Sequence, residues 1–199
     1  VGSRCGPGDH LVFFYSGHGA GLPDVSAECQ SEAFFLASER GSTSTACWLD
    51  GDDFASLVIS SVHAETNILV LADCATSGSV ADLNRPAWDG SRAVLISGCR
   101  DRQALGSSGG ALTHELLLAL ENLKARSAAR CSVGEVYAET LCVDDAMFCS
   151  SQDITIQARP SDGVGWPLWP PGDYTAPWRP LVVSAPERLP SSAASPHFG

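Results

Sequence analysis

The 199-residue chain has few basic residues, no long apolar run and no paired cysteines. Its 12 lysines and arginines against 23 aspartates and glutamates give a formal net charge of −11. Nucleic acids and anionic membrane surfaces are therefore poor partners for the chain as a whole. No apolar run approaches the roughly 20 residues that a membrane-spanning helix requires. With 44% hydrophobic residues, the composition is that of an ordinary globular domain.

The eight cysteines are scattered along the chain, and none belongs to a C-x-x-C pair. This spacing disfavours a structural zinc site, and a chain of this length can build its core without disulfides. We therefore expect a reduced, cytoplasmic protein that is a monomer. The first residue is Val1 and no charged-then-apolar leader follows it, which indicates a processed or cropped chain.

Hydrophobic patterning predicts an α/β fold. Three short apolar runs bounded by turn residues predict buried strands at residues 11–15, 68–72 and 93–96. Apolar residues at helical spacing predict helices over residues 54–62, 112–123 and 133–143. An alternating stretch at 153–158 predicts an edge strand, and the polar residues 20–45 predict a loop. Strands that alternate with helices indicate a mostly parallel sheet, whose functional residues gather at the carboxyl ends of its strands.

Two of these predicted strands end in residues of the types that act in catalysis. The first strand runs into Ser16-Gly17-His18-Gly19, which leaves the His18 imidazole accessible and makes the Gly19 amide a candidate oxyanion donor. The second strand ends in Asp73-Cys74-Ala75. A histidine beside a thiol is the pairing that cysteine catalysis requires, because the imidazole lowers the thiol pKa and later protonates the leaving amine.

Four segments, in order along the chain, resemble those of metacaspases, which are caspase-like cysteine peptidases: residues 8–19, 68–79, 94–103 and 110–113. The resemblance implies a caspase-like three-layer sandwich over residues 1–158. Its large-subunit part would cover about 1–90 and its small-subunit part about 91–158. A Pro/Trp-rich extension with a mobile end would follow at 159–199, where nine of the twelve prolines fall.

The family domain normally has a strand and a helix ahead of the segment at residue 8, and this sequence lacks them. We therefore expect a sheet that is incomplete at the N-terminus and that exposes apolar side chains and backbone groups.

The resemblance also puts the nucleophile in question. In a gap-free comparison Ala75 falls on the family's catalytic cysteine, and Cys74 falls on the variable residue before it. Alanine cannot attack a carbonyl, and successive side chains of a strand point to opposite faces, so Cys74 could act only if the strand bulged. Two functions stay open: a cysteine endopeptidase using His18 and a thiol, and a non-catalytic pseudo-peptidase that binds or regulates. A serine hydrolase using Ser77 fails the G-x-S-x-G pattern.

Further expectations follow from the same resemblance. Asp73 and Ser16 fall in the pocket for the residue before the scissile bond, which implies peptide or protein substrates with Arg or Lys there, because a basic partner neutralises a buried carboxylate.

Calcium is the remaining expectation. The chemistry itself needs no cofactor. Calcium is nevertheless a candidate activator, because Asp52, Asp53 and Asp82 fall on acidic positions that bind this ion in the family, while a fourth such position holds Ser31. Asp52 and Asp53 suit a helix N-terminus equally well.

Overall fold

The computed structural model describes residues 5–22, 31–36, 48–74, 77–99, 111–126, 131–150 and 152–168. The strands within these ranges are β1 (His10–Ser16), β2 (Gly19–Leu22), β3 (Ser31–Phe35), β4 (Trp48–Asp50), β5 (Asn67–Asp73), β6 (Arg92–Ser97) and β7 (Thr155–Arg159). The α-helices are α1 (Gly51–Ser61), the four-residue α2 (Ser77–Val80), α3 (Ala111–Ala125) and α4 (Val133–Val143). No helix of the described ranges is long and apolar enough to cross a membrane.

The main sheet has the strand order β1-β5-β6-β7. Strands β1, β5 and β6 are parallel, and β7 runs antiparallel to β6. Each of the three predicted buried strands lies in this sheet, and the predicted edge strand at 153–158 is β7. The prediction of a mostly parallel sheet is therefore confirmed.

Helices cover both faces of this sheet. Alternate side chains of β5 point to opposite faces, and each set packs against different helices. Ile68, Val70 and Ala72 join the core that contains Phe54 of α1. Leu69 and Leu71 lie on the other face, in the clusters that contain apolar residues of α3 and α4. The three-layer α/β sandwich is therefore confirmed. Strands β5 and β6 are buried because both of their faces are covered, whereas the prediction of burial is wrong for β1, whose side chains are half-buried or exposed.

The prediction of a loop over residues 20–45 is wrong where the structure describes this stretch. Strands β2, β3 and β4 form a small antiparallel sheet. Phe34 of β3 is fully buried, with ring centroids 4.6 Å from Tyr15 and 5.2 Å from Phe54. Strands β2 and β3 do not show a strand pattern in the sequence, because both are short and β2 consists mostly of glycine and alanine, so their tertiary contacts rather than their periodicity define them.

Strand β1 lies at the edge of the main sheet among the described strands. Its side chains Val12 and Phe14 are 52% and 51% exposed. Beside it, on the face of α3 and α4, an apolar cleft of about 330 Å³ is lined by His10, Val12, Leu69, Leu71, Ile96, Leu116, Leu120, Val136 and Leu168. The expected exposure of apolar groups at this side of the sheet is present.

The predicted domain boundary at residue 158 falls inside β7, and the packed part of the chain continues beyond it. Trp166 is buried in the cluster that contains Val94 and Val133. The Val133 amide donates to the Trp166 carbonyl at 2.9 Å, and the Leu168 amide donates to the Cys131 carbonyl at 2.9 Å. The part of the predicted extension after residue 168 lies outside the described residues.

Candidate active site

The candidate site forms where β1 and β5 end side by side. These strands pair in parallel with Ser16 opposite Asp73. The Gly17 amide then donates to the Asp73 carbonyl at 3.3 Å. The segment that carries His18 is thereby brought to the end of β5. This neighbourhood is the one predicted from the positions of the two segments at the ends of parallel strands. His18 itself is exposed, with its ring centroid 6.5 Å from that of Phe35.

The Tyr15 hydroxyl fixes the backbone beside His18. It lies 2.8 Å from the His18 carbonyl oxygen and 2.7 Å from the Phe35 carbonyl oxygen. The Phe35 amide also donates to the His18 carbonyl at 2.8 Å. A Cβ on Gly17 would stand only 2.7 Å from the Tyr15 hydroxyl, so glycine at 17 permits this close approach.

Gly19 lies opposite Phe34 in the antiparallel pair of β2 and β3. The neighbouring pair, His18 and Phe35, is hydrogen-bonded through the His18 carbonyl. Because hydrogen-bonded and non-bonded pairs alternate in such a ladder, the Gly19 N–H is directed away from β3. Its availability suits an oxyanion donor, and that role stays a prediction.

Cys74 is a buried core residue. Its side chain has no exposed area and belongs to the cluster that contains Ala72 and Phe54. Burial, with smaller contributions from Cys99, Asp73 and Glu32, raises the pKa of the Cys74 thiol to about 12. The thiolate is the nucleophilic form of cysteine, so this arrangement does not favour Cys74 as a nucleophile.

Asp73 points to the opposite face from Cys74 and is 1% exposed. The Thr113 amide, in the first turn of α3, donates to Asp73 Oδ2 at 2.9 Å, and the Thr113 hydroxyl contacts the same oxygen. The other oxygen, Oδ1, is buried and has no hydrogen-bond partner among the described residues. Ser16, opposite Asp73 in the register, shares this face because β1 alternates in the same way.

Two further polar side chains, Gln152 and Glu115, lie on this side of Asp73. A Cβ on Gly98 would stand 3.3 Å from Asp73 Oδ1 and 3.5 Å from Gln152 Oε1, and this Gln152 oxygen is also buried without a hydrogen-bond partner. Glu115 of α3 has no exposed area. Burial, followed by the neighbouring Asp144 and then Asp73, raises the pKa of Glu115 to about 8. The surroundings of Asp73 are therefore rich in acceptors.

Neither the predicted nucleophile position, Ala75, nor the rejected candidate Ser77 adds to the described site. Ala75 lies outside the described residues, so its relation to His18 stays a prediction. Ser77 is buried, and its hydroxyl lies 3.3 Å from the Cys99 carbonyl oxygen and 3.1 Å from the Cys99 amide nitrogen. These contacts give Ser77 a structural role.

The three aspartates predicted to bind calcium have other contacts in the structure. Asp52 and Asp53 lie in the first turn of α1, whose N-terminus is capped by Asp50, and Asp52 forms an ion pair with Arg85 at 3.2 Å. Asp82 accepts from the backbone and side chain of Asn84. The described ranges contain no group of three or more His, Cys, Asp or Glu residues placed to share a metal ion. Calcium binding by these residues stays a prediction.

Sequence patterns do not identify every residue of the site. Glu115 has a signal, because its spacing from Leu112 and Leu116 puts a charged residue on the buried face of a helix. Gln152 has no such signal, because it is far from Asp73 along the chain and only the fold brings the two residues close together.

Two of three comparisons with known proteins find a match. Residues 2–84 match the family model described as metacaspase, peptidase C14 domain. A search of curated proteins finds no match. Among solved structures, the chain is similar to protein GSU0716 from Geobacter sulfurreducens, with 20% identity and a TM-score of 0.54. That match covers 78% of this chain and 68% of the other, and it concerns the fold.

Proposed function

We propose, for a chain whose residues 2–84 match the family model of the metacaspase peptidase C14 domain, that the domain binds polypeptides by an arginine or lysine side chain received at Asp73. In this proposal the chain holds the peptide beside His18 without cleaving it. It is a metacaspase-type peptidase domain that works as a binding module.

The observation that carries this proposal is the buried, half-satisfied carboxylate of Asp73. Thr113 supplies donors to Oδ2, whereas Oδ1 has none. A buried carboxylate oxygen without a donor is costly, and a basic side chain, which carries only donors, relieves that cost. No basic side chain of the described residues pairs with it: Arg85, Arg126 and Arg159 pair with other acids.

The lack of cleavage follows from the residues at the end of β5. Cys74 is buried on the face opposite Asp73, its thiol stays protonated at neutral pH, and Ala75 has no nucleophilic atom. In an Ala75→Cys variant, the thiol proton would pass to His18 and the thiolate would attack the peptide carbonyl. His18 would then return the proton to the leaving amine, and water would hydrolyse the thioester.

The test is a binding titration of the purified chain with amidated peptides that carry a central arginine, lysine or citrulline. We expect the arginine and lysine peptides to bind at least about tenfold more tightly than the citrulline peptide, because citrulline lacks the charge that a buried carboxylate prefers. Asp73→Asn should remove this difference while the circular dichroism spectrum stays native. Equal binding of citrulline would overturn the proposal.

The second arm measures hydrolysis of fluorogenic arginine and lysine peptides, with and without calcium. The native chain should show none, whereas Ala75→Cys should gain activity that falls about 100-fold or more when His18 is also changed to Ala. Ala75→Ser is the matched control. Native hydrolysis that disappears in Cys74→Ala would show that Cys74 is the nucleophile and that the chain is an active peptidase.

A further inference from the structure

We propose that residues 181–185 of this chain add to the free edge of β1 as a further strand and cover the apolar cleft beside it. These residues read Leu-Val-Val-Ser-Ala and lie outside the described residues. The edge concerned is the one that faces away from β5, so this inference does not depend on the binding of peptides at Asp73.

The free edge of β1 offers backbone groups to a further strand. The Gly17 amide donates to the Asp73 carbonyl at the end of β5. Because successive residues of a strand direct their backbone groups to opposite edges, the odd-numbered residues of β1 face β5. The N–H and C=O groups of Val12 and Phe14 therefore point away from β5, where no described strand pairs with β1. Unpaired edges of this kind take up further strands.

Apolar side chains accompany these free backbone groups. Val12 and Phe14 are themselves half-exposed, and Val12 lines the apolar cleft on the face of α3 and α4. No residue of β1 is an acid, a lysine or an arginine. An apolar edge strand without charged residues is a site of association unless another segment covers it. A strand with aliphatic side chains would satisfy the backbone groups and fill the cleft together.

The chain leaves the described ranges at this cleft. Leu168 is the last described residue, and it lines the cleft together with Val12. The twelve residues 169–180 connect it to position 181. At about 3.1 Å per residue, as in proline-rich segments, they span up to about 37 Å. Residues 181–185 can therefore reach β1 without any movement of the described part.

The sequence of residues 181–185 suits an edge strand. Leucine and valine pack well on a strand surface, and Leu181 and Val183 would share one face, as the filling of a cleft requires. Pro180 precedes the segment and Pro186 follows it. Proline is tolerated at the first residue of a strand and on edge strands, because its missing N–H is not needed there.

Charge favours this occupant over a second copy of the chain. Residues 169–199 contain two arginines, one aspartate and one glutamate, so they carry no net charge. The formal charge of −11 therefore lies on residues 1–168, and two copies brought edge to edge would repel each other. A segment of the same chain also has a high effective concentration at the edge, because its linker holds it nearby.

The experiment measures amide hydrogen exchange in β1 of the full chain by NMR. We expect the Val12 and Phe14 N–H groups to exchange at least about tenfold more slowly in the native chain than in Leu181→Asp/Val183→Asp. Amides that are hydrogen-bonded in a strand pair exchange only when the pair opens, and two carboxylates without partners would not enter an apolar cleft.

Ser191→Asp/Ala193→Asp is the matched control, because it places the same two charges two residues apart beyond the segment. It should keep the slow exchange of the native chain, and both variants should keep the native circular dichroism spectrum. Light scattering should give the mass of one chain. Equally fast exchange in the native chain and in the Leu181→Asp/Val183→Asp variant would overturn the inference. Slow exchange with a doubled mass would also overturn it and assign the edge to a second copy.

Discussion

At the scale of single residues, Asp73 and Cys74 show how the alternation of a strand separates two neighbours. Asp73 points toward α3, where it accepts from Thr113, and Cys74 points into the core that contains Phe54. One oxygen of the carboxylate therefore has no donor among the described residues, while burial raises the pKa of the thiol to about 12. Strand alternation alone predicted that the two side chains lie on opposite faces.

Glu115 gives a prediction at the same scale. Burial, Asp144 and Asp73 raise its pKa to about 8, whereas an unfolded glutamate ionises near its ordinary value. The folded state then keeps a proton that the unfolded state loses, so the free energy of unfolding falls as the pH rises from about 4.5 to about 8. Between pH 5 and pH 8, we expect the free energy of unfolding of Glu115→Gln to rise by on the order of 2 kcal/mol relative to that of the native chain.

Urea unfolding at both pH values measures this difference. Glu121→Gln, on the exposed part of α3, is the matched control and should follow the native pH dependence. Parallel curves for the native chain and Glu115→Gln would contradict the prediction.

At the scale of the elements, the end of β1 is fixed by a contact that requires glycine. A Cβ on Gly17 would stand 2.7 Å from the hydroxyl oxygen of Tyr15 and 2.9 Å from its Cζ. We expect Gly17→Ala to displace the Tyr15 ring and to lower the free energy of unfolding by about 1–3 kcal/mol, as overpacking does. Gly21→Ala in β2, where a Cβ meets nothing within 4 Å, should stay within about 0.5 kcal/mol of the native chain. Thermal unfolding compares the two, and equal midpoints would refute the prediction.

The sequence predicts the elements of the main sheet better than those around it. The runs at 68–72 and 93–96 are continuous and apolar because both faces of their strands are covered, so a local pattern reports their environment. Strands β2 and β3 depend on Phe34 packing against Tyr15 and Phe54, which no local pattern reveals. The approach of Gln152 to the surroundings of Gly98 and Asp73 is equally non-local. The pattern of the strand predicts where Asp73 lies, whereas its expected pocket role comes from the resemblance to metacaspases.

At the scale of the whole molecule, the segment after β7 holds α4 against the sheet. Trp166 is buried between α4 and the sheet. The Arg92 guanidinium lies 5.0 Å from the centroid of the Trp166 ring, and the Trp166 carbonyl accepts from the Val133 amide. We expect Trp166→Ala to lower the free energy of unfolding by about 3–5 kcal/mol. The half-exposed Val164 is the control, and Val164→Ala should cost less than about 1 kcal/mol. Urea unfolding that is unchanged in Trp166→Ala would show that this segment does not stabilise the domain.

The raised pKa of Glu115, which lies close to Asp73, would also link the proposed binding of peptides to the acidity of the solution. A guanidinium received at Asp73 would bring positive charge toward the Glu115 carboxyl group and make its ionisation easier. Each bound peptide would then release part of a hydrogen ion into the medium. The heat of binding at pH 7 would consequently include the protonation enthalpy of the buffer and differ between phosphate and Tris.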